Sequence, residues 1–229
     1  VAISGVTDPY QPIERRLEIT RRCLKVLLKF RNPVVIITKN YLIARDVDLL
    51  KEMAKYNTIR VFISITTLDK KLAATMEPRT STPARRLAAI ETLSSAGIPT
   101  GVLVGPVIPA LTDHELIEII ASAARAGATF ARYIALRLPF GIKSIFEKWL
   151  EVNYPNKKEK VLNRIRSLRG GKLYEANFYD RMKGEGIFSE QIENLFEVAC
   201  KRAGINIQKP YLTTENFRSS SDKQLTISF

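Results

Sequence analysis

The chain has 229 residues, with 36 lysines and arginines against 23 aspartates and glutamates, which gives a formal net charge of +13 at pH 7. With 45% hydrophobic and 26% charged residues its composition is that of a globular protein, which excludes a disordered tail, a fibrous repeat or a disulfide-stapled mini-protein. A chain of this length can bury a full core as one α/β domain or two small ones. No apolar run approaches the roughly 18 residues of a membrane span, so we expect a cytoplasmic protein with no membrane partner.

Short β-branched runs alternate along the sequence with longer segments of helical periodicity. The predicted strands are residues 1–4, 34–38, 59–65, 100–107 and 132–138. The predicted helices are residues 12–30, 45–56, 83–96, 113–126, 140–152, 157–168 and 189–203. Strands that recur with helices between them favour parallel pairing. We therefore predict a parallel α/β portion in residues 1–139, a helical extension in residues 140–212 and a polar tail in residues 213–229.

Polar and small residues follow the predicted strands, and parallel α/β folds gather their chemistry at the carboxyl ends of strands. Lys39 comes directly after the second predicted strand and can meet a carboxylate or phosphate as a point charge. The alternative is a surface lysine at the beginning of a loop. No GxGxxG or GxxxxGK[ST] motif follows any strand, so a dinucleotide or P-loop site is not indicated.

The cysteine and histidine content limits the metal chemistry of the chain. Two cysteines, Cys23 and Cys200, and one histidine, His114, cannot supply a Cys/His tetrahedral site. Both cysteines lie on helix-like segments, and we predict that both pack in the core. His114 begins a predicted helix, and we expect a surface residue with no catalytic role.

A basic segment covers residues 157–172, with seven basic residues and one acidic residue. Val161, Leu162, Ile165 and Leu168 recur there at helical spacing, which predicts an amphipathic helix with a basic outer face. The basic face has two interpretations, a solvated surface or an electrostatic footprint for nucleic acid.

Six segments of the sequence occur in an order that resembles one known family. They are TDPYQPIERRLEITRRCL, VVIITKN, FISITTLD, MEPRTSTPARRLAAIETLSSAGIP, GVLVGPVIPALTDHE and LNRIRSLRGGKLYEANFYDRMKGEG. Together they resemble the radical S-adenosylmethionine (radical SAM) enzymes, and in particular their spore photoproduct lyase-like branch.

The resemblance implies an incomplete parallel (βα) barrel with five of the family's six βα units. In the family, a [4Fe–4S] cluster reduces S-adenosylmethionine to methionine and a 5′-deoxyadenosyl radical, with electrons from a donor such as flavodoxin or ferredoxin. The family's cluster motif, CxxxCxxC, is absent, and the strand at Val1 resembles the family's second strand. We therefore expect an N-terminally truncated chain that is inactive alone; a protein without the cluster is the alternative.

The resemblance also implies which residues bind S-adenosylmethionine. Thr7 and Asp8 match a Ser/Thr-Asp pair near the methionine part of the cofactor. Lys39 matches a lysine that pairs with the methionine carboxylate, and Ser64 matches a residue that hydrogen-bonds the ribose or the carboxylate. The expected contacts to the adenine come from Val104 and Gly105, which flank it, and from Leu136 and Leu138, which close its pocket. The alternative for Thr7 and Ser64 is that they only cap strand ends.

The sequence departs from the family at one position and leaves the substrate open. Spore photoproduct lyases proper carry a hydrogen-donating cysteine where this chain has Gly5, which puts thymine-dimer repair by the same route in doubt. Tyr174, Tyr179 and Arg181 are candidates for a substrate site, or they pack a loop-rich cap. Glu77 lies either on a ribose hydroxyl or in a salt bridge, for example with Arg85 or Arg86.

Two further functions compete with the radical SAM hypothesis. One is a basic nucleic-acid-binding module without catalysis. The other is a parallel α/β lyase in which Lys39 forms a Schiff base.

Overall fold

The computed structural model describes residues 1–4, 7–174, 184–207 and 210–219. Its strands are β1 (Ala2–Ile3), β2 (Val34–Thr38), β3 (Ile59–Ile65), β4 (Thr100–Val107) and β5 (Phe130–Ala135). They form one sheet in the order β1-β2-β3-β4-β5, in which all neighbours are parallel. The predicted α/β class with a parallel sheet is confirmed.

Helices connect the strands and continue after the last one. The α-helices in the described residues are α1 (Glu14–Leu17), α2 (Ile19–Lys29), α3 (Val47–Ala54), α4 (Lys70–Met76), α5 (Pro83–Ser95), α6 (Leu116–Arg125), α7 (Ile142–Asn153), α8 (Lys158–Ser167) and α9 (Ile187–Ala203). Short 3-10 helices lie at Tyr41–Asp46, Asp113–Glu115 and Pro155–Lys157. Helix α4 was not predicted, although Asp69 caps it by accepting hydrogen bonds from the backbone of Lys71 and Leu72.

The first predicted helix is interrupted. Glu18 has a φ of 49°, in the left-handed region, and separates α1 from α2. The Glu14 carboxylate accepts hydrogen bonds from the backbone N–H groups of Ile19 and Thr20, at 3.0 and 2.9 Å. It thereby satisfies donors at the beginning of α2 that have no partner inside the helix.

The two faces of the sheet are covered differently. On one face Ile36, Ile63 and other strand residues pack with the helices in the main hydrophobic core. On the opposite, inner face Phe62 and Phe130 meet edge to face, with ring centroids 4.9 Å apart. Phe130 covers Gly101 so closely that a Cβ there would lie 2.1 Å from a ring carbon, so this approach requires glycine.

A second hydrophobic cluster joins α7 and α8 to the loops that follow the strands. It contains Leu138, Phe146 and Leu150 together with Leu162 and Ile165 of α8. The predicted amphipathic helix is therefore confirmed.

The basic outer face of this helix is smaller than predicted. Arg169 is only 4% exposed and donates a hydrogen bond to the carbonyl of Leu136 at 3.0 Å. Arg164 lies over the ring of Phe188. Tertiary contacts therefore draw two of the seven basic side chains away from open solvent.

The prediction for the cysteines is half right. Cys200 is buried, but Cys23 is exposed, so core packing of Cys23 is wrong. Helix α2 turns Thr20 and Leu24 inward. Cys23 precedes Leu24 by one residue, which places it about 100° away around the helix, toward solvent.

The first part of the predicted tail is hydrogen-bonded to the segments that precede β2 and β3. The backbone N–H of Thr213 donates to the carbonyl of Asn57, and that of Arg218 to the carbonyl of Phe30, at 3.1 and 2.9 Å. Residues 220–229 lie outside the described residues. Among the described helices, none is both long and apolar enough to cross a membrane.

Candidate functional site

Asp8 ties the loop after β1 to the end of β2. Its carboxylate accepts hydrogen bonds from the Thr38 hydroxyl at 2.7 Å and from the backbone N–H of Lys39 at 2.8 Å. A third bond, also 2.8 Å long, comes from the backbone N–H of Tyr10. Asp8 therefore fixes the backbone from which the Lys39 side chain leaves the strand.

The ammonium of Lys39 is held at the carboxyl edge of the sheet. It forms an ion pair with Oε1 of Glu77 and lies 3.3 Å from the Thr66 hydroxyl. The Lys39 side chain is 25% exposed and that of Glu77 is 11% exposed. The Lys39 ammonium is thus held in place by protein groups, while part of the Lys39 side chain stays accessible to solvent.

Glu77 connects Lys39 to a buried arginine. Its Oε2 accepts from Arg86 Nη2 at 2.7 Å, and Arg86, only 1% exposed, also donates to the carbonyls of Ser64 and Ser81. Burial alone would raise the pKa of Glu77, but the charges of Lys39 and Arg86 outweigh it and hold that pKa below its ordinary value. Glu77 is therefore an anion at neutral pH.

Of the two alternatives for Glu77, the structure shows the salt bridge. Of the two arginines considered as partners, it is Arg86 that pairs with Glu77. Arg85 lies instead over the ring of Tyr41, with its guanidinium carbon 4.0 Å from the ring centroid.

The ends of β3 and β4 are joined by two hydroxyls. Ser64 donates to the carbonyl of Gly105 at 3.1 Å, and the Thr66 hydroxyl lies 2.8 Å from the same oxygen and 3.0 Å from Glu77 Oε1. Both hydroxyl residues are buried. We call the connected residues the rim network: Asp8, Lys39, Ser64, Thr66, Glu77, Arg86 and Gly105.

The rim network contains four of the residues that the resemblance assigns to the cofactor, which are Asp8, Lys39, Ser64 and Gly105. Thr7 is adjacent in sequence but exposed, and its hydroxyl accepts a hydrogen bond from the Gln11 amide at 2.6 Å.

The remaining predicted residues lie elsewhere. The Val104 side chain packs into the main core between sheet and helices, so only its backbone is available to the inner face. Leu138 is 1% exposed inside the cluster with α7 and α8, and Leu136 packs against the same cluster. A role for these leucines at an adenine remains a prediction.

Sequence reasoning did not single out Thr66 as a site residue, and it named Arg86 only as a salt-bridge partner. Thr66 follows Ser64 by two residues at the end of β3, a spacing that would have been a usable signal. For Arg86 the sequence holds no comparable signal, because its burial depends on the packing of α5. Tyr174 is partly buried, whereas Tyr179 and Arg181 lie outside the described residues.

A second buried ionic cluster, which we call the Asp46 network, lies beside the first helices. The Asp46 carboxylate accepts from the Tyr10 hydroxyl at 3.1 Å and from the guanidinium groups of Arg21 and Arg45, both at 2.9 Å. Arg45 also pairs with Glu14 at 3.1 Å. Burial, followed by the charge of Asp46, raises the pKa of Tyr10 well above its ordinary value.

The residues present do not fit a [4Fe–4S] cluster. Such a cluster needs three or four thiolates, and the sequence has only two cysteines. One is exposed on α2 and the other is buried in α9. The described residues contain no group of three or more histidines, cysteines or carboxylates that could hold a metal ion.

The chain belongs to the Radical SAM superfamily, because the family model matches residues 1–123. Over 189 residues it is 34% identical to an uncharacterized protein of Mycobacterium tuberculosis, a match that covers 82% of this chain and 54% of that protein. An uncharacterized protein of Methanocaldococcus jannaschii is 32% identical over 164 residues, which are 72% of this chain and 60% of that protein. The chain thus spans only part of the length of both relatives.

Solved structures agree on the fold. Spore photoproduct lyase complexed with dinucleoside spore photoproduct superposes with a TM-score of 0.63 at 19% identity, over 93% of this chain and 60% of that one. A mutant of the same enzyme with bound AdoMet and dinucleoside spore photoproduct gives the same values. The predicted fold, an incomplete radical SAM barrel with a helical extension, is confirmed.

Proposed function

We propose that this chain is the S-adenosylmethionine-binding portion of a radical SAM enzyme. In this proposal the methionine carboxylate lies at Lys39. Asp8 and Ser64 support the methionine and ribose part of the cofactor, and the adenine lies toward Gly105 and the strand ends beyond it. The rim network carries this proposal, because it brings Lys39 and Ser64 to the same edge of the sheet. Membership in the Radical SAM superfamily and the bound AdoMet of the structural neighbour support it.

In the rim network Lys39 is the cation available to an anionic group. The formal charges of Lys39 and Arg86 balance those of Asp8 and Glu77, but the Asp8 carboxylate is taken up by the Thr38 hydroxyl and by backbone N–H groups. Arg86 neutralises one oxygen of Glu77, so Lys39 can share its protons between Glu77 and a ligand carboxylate. Charge-assisted hydrogen bonds of this kind are about twice as strong as neutral ones.

The cluster is assigned to residues outside this sequence. Beside a reduced [4Fe–4S] cluster, bound S-adenosylmethionine would supply a 5′-deoxyadenosyl radical. The two cysteines here cannot hold that cluster, so in this proposal its thiolates would come from residues outside this sequence, and its electron would come from a donor such as flavodoxin or ferredoxin.

The reaction class is proposed as lyase-type chemistry on a nucleic acid or another substrate. In this proposal residues 1–139 hold the cofactor and residues 140–212 face the substrate. The dinucleoside in the neighbouring structures supports a nucleic-acid substrate. Gly5 has no thiol, so the proposal does not extend to thymine-dimer repair through a cysteine at that position.

The two competing functions have less support. A Schiff-base enzyme needs a lysine amine that is free to attack a carbonyl, but the Lys39 amine is engaged in an ion pair with Glu77. A purely electrostatic nucleic-acid module is weakened by Arg169, whose side chain is buried against Leu136.

Binding of S-adenosylmethionine, measured by isothermal titration calorimetry, tests the proposal. Lys39→Ala should weaken binding by about 10- to 150-fold, because a charged hydrogen bond is worth about 1.5–3 kcal/mol. Lys51→Ala, which removes an exposed lysine of α3, is the matched control and should bind as the wild type does. Equal affinities for Lys39→Ala and the control would refute the assigned role. Anaerobic reconstitution of the longer protein should give a brown enzyme that cleaves S-adenosylmethionine when reduced.

A further inference from the structure

A cleft of about 410 Å³ lies between the loop after β4 and the helices α8 and α9. Its walls are half apolar, with Pro109 on one side and Phe188, Ile192 and Leu195 on the other, and half polar or charged, including His114 and Gln191. This volume is within the range of small-molecule sites, which are typically apolar with a few placed polar groups. None of the residues that line the cleft belongs to the rim network, so the two sites are separate.

Arg164 is fixed in this cleft with an unused donor. Its guanidinium carbon lies 3.5 Å from the centroid of the Phe188 ring, a cation–π contact that holds the planar group in place. Nη1 of the same guanidinium is buried and has no hydrogen-bond partner among the described residues. A buried donor without a partner costs free energy, so a shift of the side chain that gives Nη1 an acceptor at the cleft would be favoured.

Lys160 adds a second cation to the same wall. It precedes Arg164 by four residues on α8, so the two side chains are neighbours on one helix face, where like charges repel. In the described part of the chain, the acid that lines the cleft is Asp113. Its oxygens accept from the backbone N–H groups of Ala110 and His114, at 2.9 and 3.1 Å. The pair Lys160 and Arg164 is therefore short of counter-charge.

We propose that this cleft binds a nucleotide phosphate, with Lys160 and Arg164 on the phosphate and the apolar wall against the sugar and base. Two cations on one wall match the double charge of a phosphate monoester better than the single charge of a carboxylate. The phosphate comes from a free nucleotide or from the end of a nucleic-acid strand.

Thymidine 5′-monophosphate is the probe, because it lacks both adenine and the methionine carboxylate and so does not report on the rim network. Calorimetric titration of the chain should show binding that weakens about tenfold in Arg164→Gln and in Lys160→Gln. Thymidine, which lacks the phosphate, should bind at least about tenfold more weakly than the monophosphate. The control Arg166→Gln removes the same charge from α8, but Arg166 bonds to Asn163 and does not line the cleft. It should bind the probe as the wild type does.

A second titration distinguishes the two sources of the phosphate. Tighter binding of a 5′-phosphorylated oligothymidylate than of the mononucleotide supports a strand end, and equal or weaker binding supports a free nucleotide. If the wild type binds neither probe, or if both cleft variants bind as tightly as Arg166→Gln, the proposal is wrong. Lys160 is exposed, so its variant keeps the test valid even if Arg164→Gln does not fold. A failure of S-adenosylmethionine binding would leave this result unaffected.

Discussion

The rim network and the Asp46 network both place a carboxylate between two cations, but they are closed to different degrees. Asp46 has no exposed surface, and its oxygens are shared by Tyr10, Arg21 and Arg45. Arg21 and Arg45, 20% and 21% exposed, each pair with two carboxylates, whereas Lys39, 25% exposed, pairs with Glu77 alone among the described carboxylates, and Glu77 itself is 11% exposed. A cluster whose groups are all used inside the chain can only hold the chain together. A cluster with a reachable cation at the edge of a sheet can also bind an anion.

The location of the two networks agrees with this difference. The Asp46 network connects α2 to the segment before α3, on the helical side of the fold. The rim network connects the carboxyl ends of β2, β3 and β4, the edge at which parallel folds bind ligands. Buried ion pairs are weak evidence for stability in general, because desolvation offsets their attraction. Substitutions in the two networks can distinguish a network that only stabilises the fold from one that also binds a ligand.

The largest effect on stability is expected for Asp46→Asn. The amide keeps the shape of the side chain but leaves Arg21 and Arg45 without their shared charge, which should cost about 3–5 kcal/mol of unfolding free energy. Urea unfolding at neutral pH measures this loss. Asp48→Asn is the control, because Asp48 pairs with the same Arg21 but is 58% exposed. It should cost about 0–1 kcal/mol, and equal costs for the two variants would show that the Asp46 network is not a closed structural unit.

Glu77→Gln should cost nearly as much, about 3–4 kcal/mol at neutral pH: Lys39 can turn toward water when its partner is lost, but Arg86, only 1% exposed, is left without its charged partner. The pKa of Glu77 is lower in the folded chain than its ordinary value of 4.5. Its contribution is therefore complete above that value and disappears as the pH falls through the lower folded pKa. Urea unfolding from neutral pH downward should show the wild type and Glu77→Gln converging in acid. A constant difference would contradict the charge assigned to Glu77.

Tyr10→Phe should cost about 1 kcal/mol, the value of one buried hydrogen bond, here the one donated to Asp46. Because burial raises the pKa of Tyr10 above its ordinary value of 10.0, the advantage of tyrosine is complete below that value. It should shrink at higher pH, where the unfolded chain ionises first. Denaturation of both proteins across the alkaline range tests this, and no change in the difference would count against burial of the hydroxyl.

Lys39→Gln should change stability least, by less than about 1 kcal/mol, since Glu77 keeps Arg86 and Thr66 as partners. The same urea measurements decide this. A loss as large as that of Asp46→Asn would remove the distinction between the two networks.

The sequence predicted those features that depend on local patterns. Strands β2, β3 and β4 have the predicted bounds, because continuous apolar β-branched runs between turn residues mark buried parallel strands. The expectation that functional residues gather at the carboxyl ends of parallel strands then placed Lys39 and Ser64 at the same edge of the sheet. The break at Glu18 was missed, because helical periodicity does not show that the Glu14 carboxylate caps a new helix at Ile19.

What depends on tertiary packing was not predictable in the same way. Cys23 was assigned to the core because free cysteines are usually buried, but its position on α2 leaves it exposed. Arg169 was predicted to lie on a basic surface, but it is buried by a hydrogen bond to the carbonyl of Leu136, which is 33 residues away in the sequence. The pairing of Glu77 with Arg86 was one of several open alternatives, and only the packing of α5 on β3 selects it.

The contact between Lys39 and the methionine carboxylate is the central claim, and a comparison of two ligands tests it directly. Wild type and Lys39→Gln are titrated with S-adenosylmethionine and with its decarboxylated analogue, which differs only in the carboxyl group. The account predicts that the wild type prefers S-adenosylmethionine by about tenfold, as expected for one charged hydrogen bond, and that Lys39→Gln loses this preference. If both proteins discriminate between the ligands equally, Lys39 does not bind the carboxylate and the assignment of the rim network is wrong.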